Sequence, residues 1–269
     1  MNSLRLKLWA VCALAASLAP AQAQTPTATT VCKASSGATS PTVVELYTSE
    51  GCSSCPPADK WLSTLKGRPD VLALAFHVNY WDRLGWPDRF ASPEITARQH
   101  LLAQLAGSRQ VYTPQVVAAG RDWRVWPQLP QAATSRVGLT LSRDGDKVTA
   151  QVAALVSPSP SPSPSSISGP VPGPGSPQAT PSNTQLGGYW AVLEDQHLTR
   201  VKAGENSGET LRHDHVVRLY KPVAPWTATQ GHSSQLSVSP GVSEHPRRVV
   251  FVVTEGATQR PLQALALAC

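Results

Sequence analysis

The sequence predicts an α/β domain followed by an all-β, sandwich-like module, α+β overall. Three observations carry that expectation. Strand-like apolar runs alternate with helical stripes between residues 42 and 125, and beyond about Gly138 the hydropathy period becomes two. Nine of the 25 prolines fall in one Pro/Ser stretch between strand-like runs, outside any core. With 41% hydrophobic and 15% charged residues, the 269-residue chain can bury a sizeable core. That composition excludes collagen, a coiled coil, a multi-span membrane protein and a wholly disordered chain.

Arg5 and Lys7 precede an apolar run from Leu8 to Leu18, and Ala21-Gln22-Ala23 has the small-x-small pattern of a cleavage site. Residues 1–23 therefore read as an export signal, and its apolar run is too short for the roughly 20 residues of a membrane span. Residues 24–41 are Thr/Ser/Ala-rich and read as extended. Thr42–Thr48 (TVVELYT) is a strand of β-branched and aromatic residues, broken by Gly51. A helix follows, with Pro56 and Pro57 in its first turn, where a missing N–H does no harm. Its stripe is Ala58, Trp61, Leu62 and Leu65, and Gly67 stops it. Val71–Val78 is a nearly continuous apolar run that suits a strand buried on both faces. Ser92 caps a second helix with Pro93 at its first position; Ile95, Leu101, Leu102 and Leu105 are expected inward, and Gly107 ends it. Val116–Ala119 and Trp123–Val125 read as paired strands, completing a β-α-β-α-β-β domain over residues 42–137.

The β-rich module spans residues 138–269. Leu139–Ser142, Asp144-Gly145 and Val148–Val156 give a hairpin signal. Strand-like runs resume at Tyr189–Leu193, Val216–Tyr220, Val249–Val253 and Leu262–Leu267, with polar loops at 157–184 and about 227–246. The first of these loops reads as a disordered or polyproline-like excursion. A net charge of +6 without a Lys/Arg run gives no nucleic-acid footprint, and no stable membrane insertion is expected.

Of the five cysteines, Cys12 lies in the leader. The two-residue gap makes Cys52 and Cys55 natural partners, which leaves Cys32 and Cys269; a structural disulfide pinning the chain ends is expected of these two, with free thiols at one or both as the alternative. Cys52-Ser53-Ser54-Cys55 follows a strand and opens a helix, so the helix N-terminus is expected to favour the thiolate, the reactive form. The pair reads as a redox couple, with a structural bridge and a metal site that includes His77 as alternatives. In an open α/β sheet ligands gather at the strand C-termini. There Asn79-Tyr80-Trp81-Asp82 follow the second strand, and Val111-Tyr112-Thr113-Pro114 begin the next. A cis bond before Pro114 would leave the Thr113 backbone free to pair with an extended substrate.

Several blocks carry a resemblance: Glu45-Leu46-Tyr47-Thr48-Ser49-Glu50-Gly51-Cys52-Ser53-Ser54-Cys55-Pro56-Pro57-Ala58-Asp59, His77–Asp82, Leu84-Gly85-Trp86, Arg98-Gln99, Val111–Gln115, Gly204-Glu205-Asn206, Leu211-Arg212-His213 and Val216-Val217-Arg218. From about residue 42 to the C-terminus the chain resembles a secreted bacterial family catalogued as domain of unknown function 1223. The resemblance implies a thioredoxin-like first half, with Cys52 as attacking thiol, Cys55 as resolving thiol, and Thr113 with cis-Pro114 facing them. Gly51 stands where thioredoxin-like proteins carry an aromatic residue, and Ser53-Ser54 stand where they carry Gly-Pro. The function expected is an exported thioredoxin-like thiol–disulfide oxidoreductase acting on protein or small-molecule thiols and disulfides. No organic cofactor is required. Glu45 is a candidate proton relay to the resolving thiol, and Tyr80, Trp81 and Tyr112 are candidates for substrate contact. His213 and His215 read as a solvated strand face, and Gly204-Glu205-Asn206 as a turn able to dock the β part against the redox edge. The rival functions are a periplasmic metal-binding or metallochaperone protein using Cys52 and Cys55, and a non-catalytic binding module with a structural bridge.

Overall fold

A computed structural model describes residues 32–135, 137–155, 184–239 and 244–269. The expected leader, residues 24–31 of the N-terminal extended segment and nearly all of the 157–184 loop lie outside them. In chain order the elements are β1 (Cys32–Ser35), β2 (Thr39–Ser40), β3 (Thr42–Thr48), α1 (Pro56–Ser63), β4 (Val71–His77), a 3-10 turn (Asp82–Leu84), α2 (Pro93–Leu105), β5 (Gln115–Ala118), β6 (Arg121–Asp122) and β7 (Ala133–Thr134). There follow β8 (Leu139–Asp144), β9 (Lys147–Val152), β10 (Gln185–Glu194), β11 (His197–Arg200), β12 (Thr210–His213), β13 (Val216–Thr227), β14 (His232–Ser237), β15 (Arg247–Glu255) and β16 (Pro261–Leu267).

The architecture corrects the expected fold class. The chain does not form an α/β thioredoxin-like domain followed by an all-β module; it is mostly β, built on an eight-stranded mixed sheet in the order β16-β15-β10-β13-β4-β3-β5-β6. Strands from both sides of residue 137 share that sheet. The junction is a parallel pairing of β13 with β4 at Val216 and Ala75, supported by the Ala75 N–H donating to His215 O (2.8 Å). The physical reason is the apolar run of β4, buried along nearly its whole length. Its free edge would leave backbone groups unpaired, and β13 takes it up. Tyr189, Ala191 and Leu193 of β10 then pack in one core with Val43, Tyr47, Leu72, Leu74 and Phe76.

The two helices cover opposite faces of the β3/β4 region. Ala58, Leu62 and Leu65 pack on Val44, Leu46, Ala73, Ala75 and Val116, while Ile95 of α2 joins the Val43/Tyr47 side. Ser92 caps α2 by accepting from the Ile95 N–H (3.3 Å). The inner face of α2 differs from the expected one, because Leu101 and Leu105 are exposed whereas Arg98 and Gln99 are buried. Residues 95, 98, 99, 102 and 103 share helical spacing, and the buried Glu45 carboxylate opposite them requires a cation there.

A separate four-stranded sheet, β1-β8-β9-β14, packs Leu139, Leu141, Val148 and Val152 against Trp190, Val192 and Phe251. The hairpin at Asp144-Gly145 is present, with Gly145 at φ +56°. Strand β14 lies inside the expected polar loop. It alternates exposed and partly buried positions, with Leu236 the buried apolar residue, and pairs with β9. Trp123–Val125, expected as a strand, lies outside β6. Cys32 and Cys269 form a disulfide.

Candidate functional site

Cys52 and Cys55 form a second disulfide at the C-terminal end of β3. Cys55 is the N-cap of α1 with Pro56 and Pro57 behind it. The helix therefore starts here because proline is preorganised for that position. The same prolines carry no N–H, so α1 offers fewer amide donors than a helix N-terminus ordinarily presents. A local donor to the Cys52 sulfur is the Ser54 hydroxyl, at 3.4 Å. Both cysteines are 0% exposed, whereas Ser53 and Ser54 between them are exposed.

The sheet register gathers the neighbouring loops. Thr48 pairs with His77, so Asn79, Tyr80 and Trp81 leave β4 at the same edge as Cys52. Tyr47 pairs antiparallel with Gln115, which brings Thr113 and Pro114, joined by a cis peptide bond, to that edge as well. Trp81 Nε1 donates to Thr113 Oγ1 (2.8 Å), and Gln99 Nε2 donates to Tyr112 O (2.8 Å). A side chain at Gly51 would place its Cβ 3.1 Å from Trp81 Cβ, so the residue before the first cysteine is kept small by the tryptophan packed on it. Burial pushes the half-buried Tyr80 phenol up. Tyr112 donates to Asp122 (2.6 Å), and burial with that carboxylate raises its pKa to about 12.

Glu45, the expected proton relay, belongs to another cluster. It faces α2, where Arg98 donates to both of its oxygens (2.5 and 3.2 Å) and Tyr47 and Tyr189 donate one bond each (2.7 and 2.9 Å). Four donors consume its acceptor capacity and make it a structural anchor.

Other polar residues surround the disulfide. Thr48 Oγ1 donates to Asp59 Oδ2 (3.0 Å), one helical turn beyond Cys55. His77 Nδ1 donates to Asp88 Oδ2 (2.7 Å), which also accepts from the Glu50 N–H (2.8 Å). Trp86 Nε1 donates to Glu50 Oε2 (2.9 Å), and Glu50 Oε1 lies 3.3 Å from His213 Nε2. The His77 and His213 rings meet edge to face at 5.0 Å. Burial pushes the Asp59 carboxyl above its ordinary value. Burial acts to lower the His77 pKa, but Asp88, together with Asp59 and Glu50, outweighs it and raises the imidazole pKa. Glu50 is held below its ordinary value, because His213, Thr199 and Trp86 outweigh burial. His77 Nε2 and His213 Nδ1 are buried without a hydrogen-bond partner, and the long ion pair to His213 is the contact of Glu50 Oε1. Among the described residues no group of three or more His, Cys, Asp or Glu is arranged to hold a metal ion.

A loop from the later half clasps the disulfide segment. Asn206 Nδ2 donates to Glu50 O (2.9 Å) and Cys52 O (3.0 Å), and the Ser53 N–H and hydroxyl both donate to Glu205 Oε2 (3.0 and 2.7 Å). Gly204, at φ +75°, lies against Trp86, where an added Cβ would sit 3.3 Å from the indole's Cβ. Beside the clasp is a cleft of about 560 Å³ lined by Ser53, Pro56, Asp59, Glu205, Arg212 and His213, among others.

Sequence reasoning gave no role to Asp59, Asp88 and Glu50, and read His213 as solvated. Asp59 lies three residues before the inward Leu62, and His213 two residues after the inward Leu211, so helical and strand periodicity already marked both as inner positions. His213 and His215, expected on a solvated face, are 2% and 5% exposed.

Fold and site together define a β-rich protein with two disulfides, one of them a Cys-x-x-Cys bridge at a strand-to-helix junction. The chain belongs to the family described as "Protein of unknown function (DUF1223)", whose model matches residues 43–254. Its fold is similar to that of protein AGR_C_4864 from Agrobacterium tumefaciens, with TM-score 0.58 and 24% identity over 84% of this chain and 93% of that one. It is also similar to HBP35 of Porphyromonas gingivalis, with TM-score 0.53 and 12% identity over 86% of this chain and 76% of that one. No curated protein matches. No helix among the described residues is long and apolar enough to cross a membrane, and the disulfides suit an oxidising, exported environment.

Proposed function

We propose that this protein is a periplasmic or secreted thiol–disulfide oxidoreductase working through Cys52 and Cys55 on protein or small-molecule thiols. The observation that carries the reading is the Cys52–Cys55 bridge itself, closed across the start of α1 at the sheet edge where Trp81, Thr113 and a polar cleft converge. In this mechanism a substrate thiolate attacks Cys52, Cys55 leaves, and a second thiol resolves the mixed disulfide, so the substrate is oxidised; the direction that reduces substrate disulfides is the reverse. Thr113 offers its backbone to an extended substrate, and Tyr80, Trp81 and Tyr112 border it.

The full burial of both cysteines favours a second reading, a non-catalytic module whose bridge braces the loop. Titration of the native protein against glutathione buffers separates the two. An exchanging couple equilibrates reversibly, and Cys55→Ala accumulates a mixed disulfide on Cys52. A bridge below about −300 mV, with no trapped adduct, supports the brace and overturns the oxidoreductase reading.

A further inference from the structure

The Ser53 corner of this site points to a class of substrate, an inference that rests on the exchange reading above. Glu205 Oε2 accepts both the N–H and the hydroxyl of Ser53 at 3.0 and 2.7 Å. Those two bonds hold its carboxyl below its ordinary value. Glu205 is exposed, on the connection between β11 and β12, so its carboxylate is docked from outside into a two-donor fork. The fork is one residue from Cys52 and lines the cleft, whose wall also carries the exposed cations Lys60 and Arg212. Charge-assisted bonds from paired donors recognise a carboxylate more strongly than neutral groups.

We propose that the Ser53 fork is the recognition site for the carboxylate of a small thiol substrate, and that Glu205 fills it in the resting protein. Binding exchanges one carboxylate for another, and it releases the two Glu205 bonds that help hold the 204–206 loop over the buried Cys52, leaving the loop on the two Asn206 bonds alone. The substrate thiolate then forms a bond to Cys52 Sγ, the Cys52–Cys55 bond breaks, and Cys55 leaves as a thiolate that takes a proton from solvent. A second substrate thiolate attacks the substrate sulfur of the mixed disulfide and releases Cys52. Two substrate thiols are oxidised to one disulfide, and the protein bridge gains two electrons.

The test uses mercaptoacetate, which carries a carboxylate, and 2-mercaptoethanol, which does not. Rates of bridge reduction are followed by quenching, alkylation and mass measurement. Dividing each thiol's rate on a variant by its rate on the unaltered protein removes intrinsic nucleophilicity. Glu205→Gln is expected to raise the mercaptoacetate rate about tenfold while moving 2-mercaptoethanol by less than about threefold. Adding Ser53→Ala to that variant is expected to lose most of the gain. Glu209→Gln, which removes the same charge from the same cleft without touching Ser53, is the control for plain repulsion. Equal gains for both thiols, or an equal mercaptoacetate gain in Glu209→Gln, overturn carboxylate recognition while leaving exchange intact. Failure of both thiols to reduce the bridge in every variant overturns the exchange reading, and this inference with it.

Discussion

On the α2 face of the large sheet, Glu45 and Arg98 are buried together, and both carboxylate oxygens are bonded by Arg98, Tyr47 and Tyr189. At the C-terminal ends of β3 and β4, Glu50, Asp59, His77, Asp88 and His213 are also buried, yet His77 Nε2 and His213 Nδ1 are left over and Glu50 Oε1 has only a long ion pair to His213. Burial is similar in the two clusters and saturation is not. A saturated cluster can only hold its elements in place, here β3, α2 and β10. An unsaturated one retains capacity to accept or donate, and this one lies beside the disulfide.

Breaking the saturated cluster is expected to cost most. Arg98→Met leaves a buried carboxylate without its cation, and the urea midpoint should fall by the equivalent of about 3–5 kcal/mol. Adding Glu45→Gln should restore part of that loss, because it removes the buried charge while the amide oxygen still accepts from one tyrosine and the amide NH2 donates to the hydroxyl of the other. His213→Phe should cost less, about 1–2 kcal/mol, since it removes one weak ion pair. Equal losses for the two single variants would erase the contrast.

The smallest effect is a pH dependence. His77 titrates above its ordinary value, so its pairing with Asp88 stabilises fully below about pH 6.5 and is lost as pH rises through the raised value. Asp88, held low by His77 and the Glu50 and Phe90 amides against burial, stabilises above the ordinary carboxylate range and loses that contribution as pH falls through its depressed value. The thermal midpoint should therefore decline by a few degrees between pH 6 and pH 9, and Asp88→Asn should flatten that decline. An unchanged slope in the variant would remove His77 from the account.

Much of the local structure was legible. The TVVELYT strand, the proline-started helix behind Cys55, the Ser92 cap and the Asp144-Gly145 hairpin all stand where the pattern put them. The inner face of α2 was misread because hydropathy ranks Leu101 and Leu105 above Arg98 and Gln99, whereas Glu45 on a strand far away in sequence decides which residue the interior needs. Asp88 was illegible as a site residue for the same reason, since its partners His77 and Glu50 lie outside its own segment; the docking of 204–206 against the disulfide edge was expected from the resemblance, and only its bonds, from Asn206 to Glu50 O and Cys52 O, were not.

The amino-acid order alone determined the short-range features: where strands and helices begin, which cysteines are close enough to pair across one turn, and which segment is too rich in proline for a core. Each depends on backbone preferences and neighbours within a few positions. Only the tertiary structure decided that β13 would join β4, merging two expected modules into one sheet, and which groups of the 204–206 loop would bond the bridge segment. Those outcomes turn on satisfying the open edge of a buried strand and the polar groups around a buried disulfide. Such demands are met by whichever distant segment fits, and the pattern along the chain does not name it.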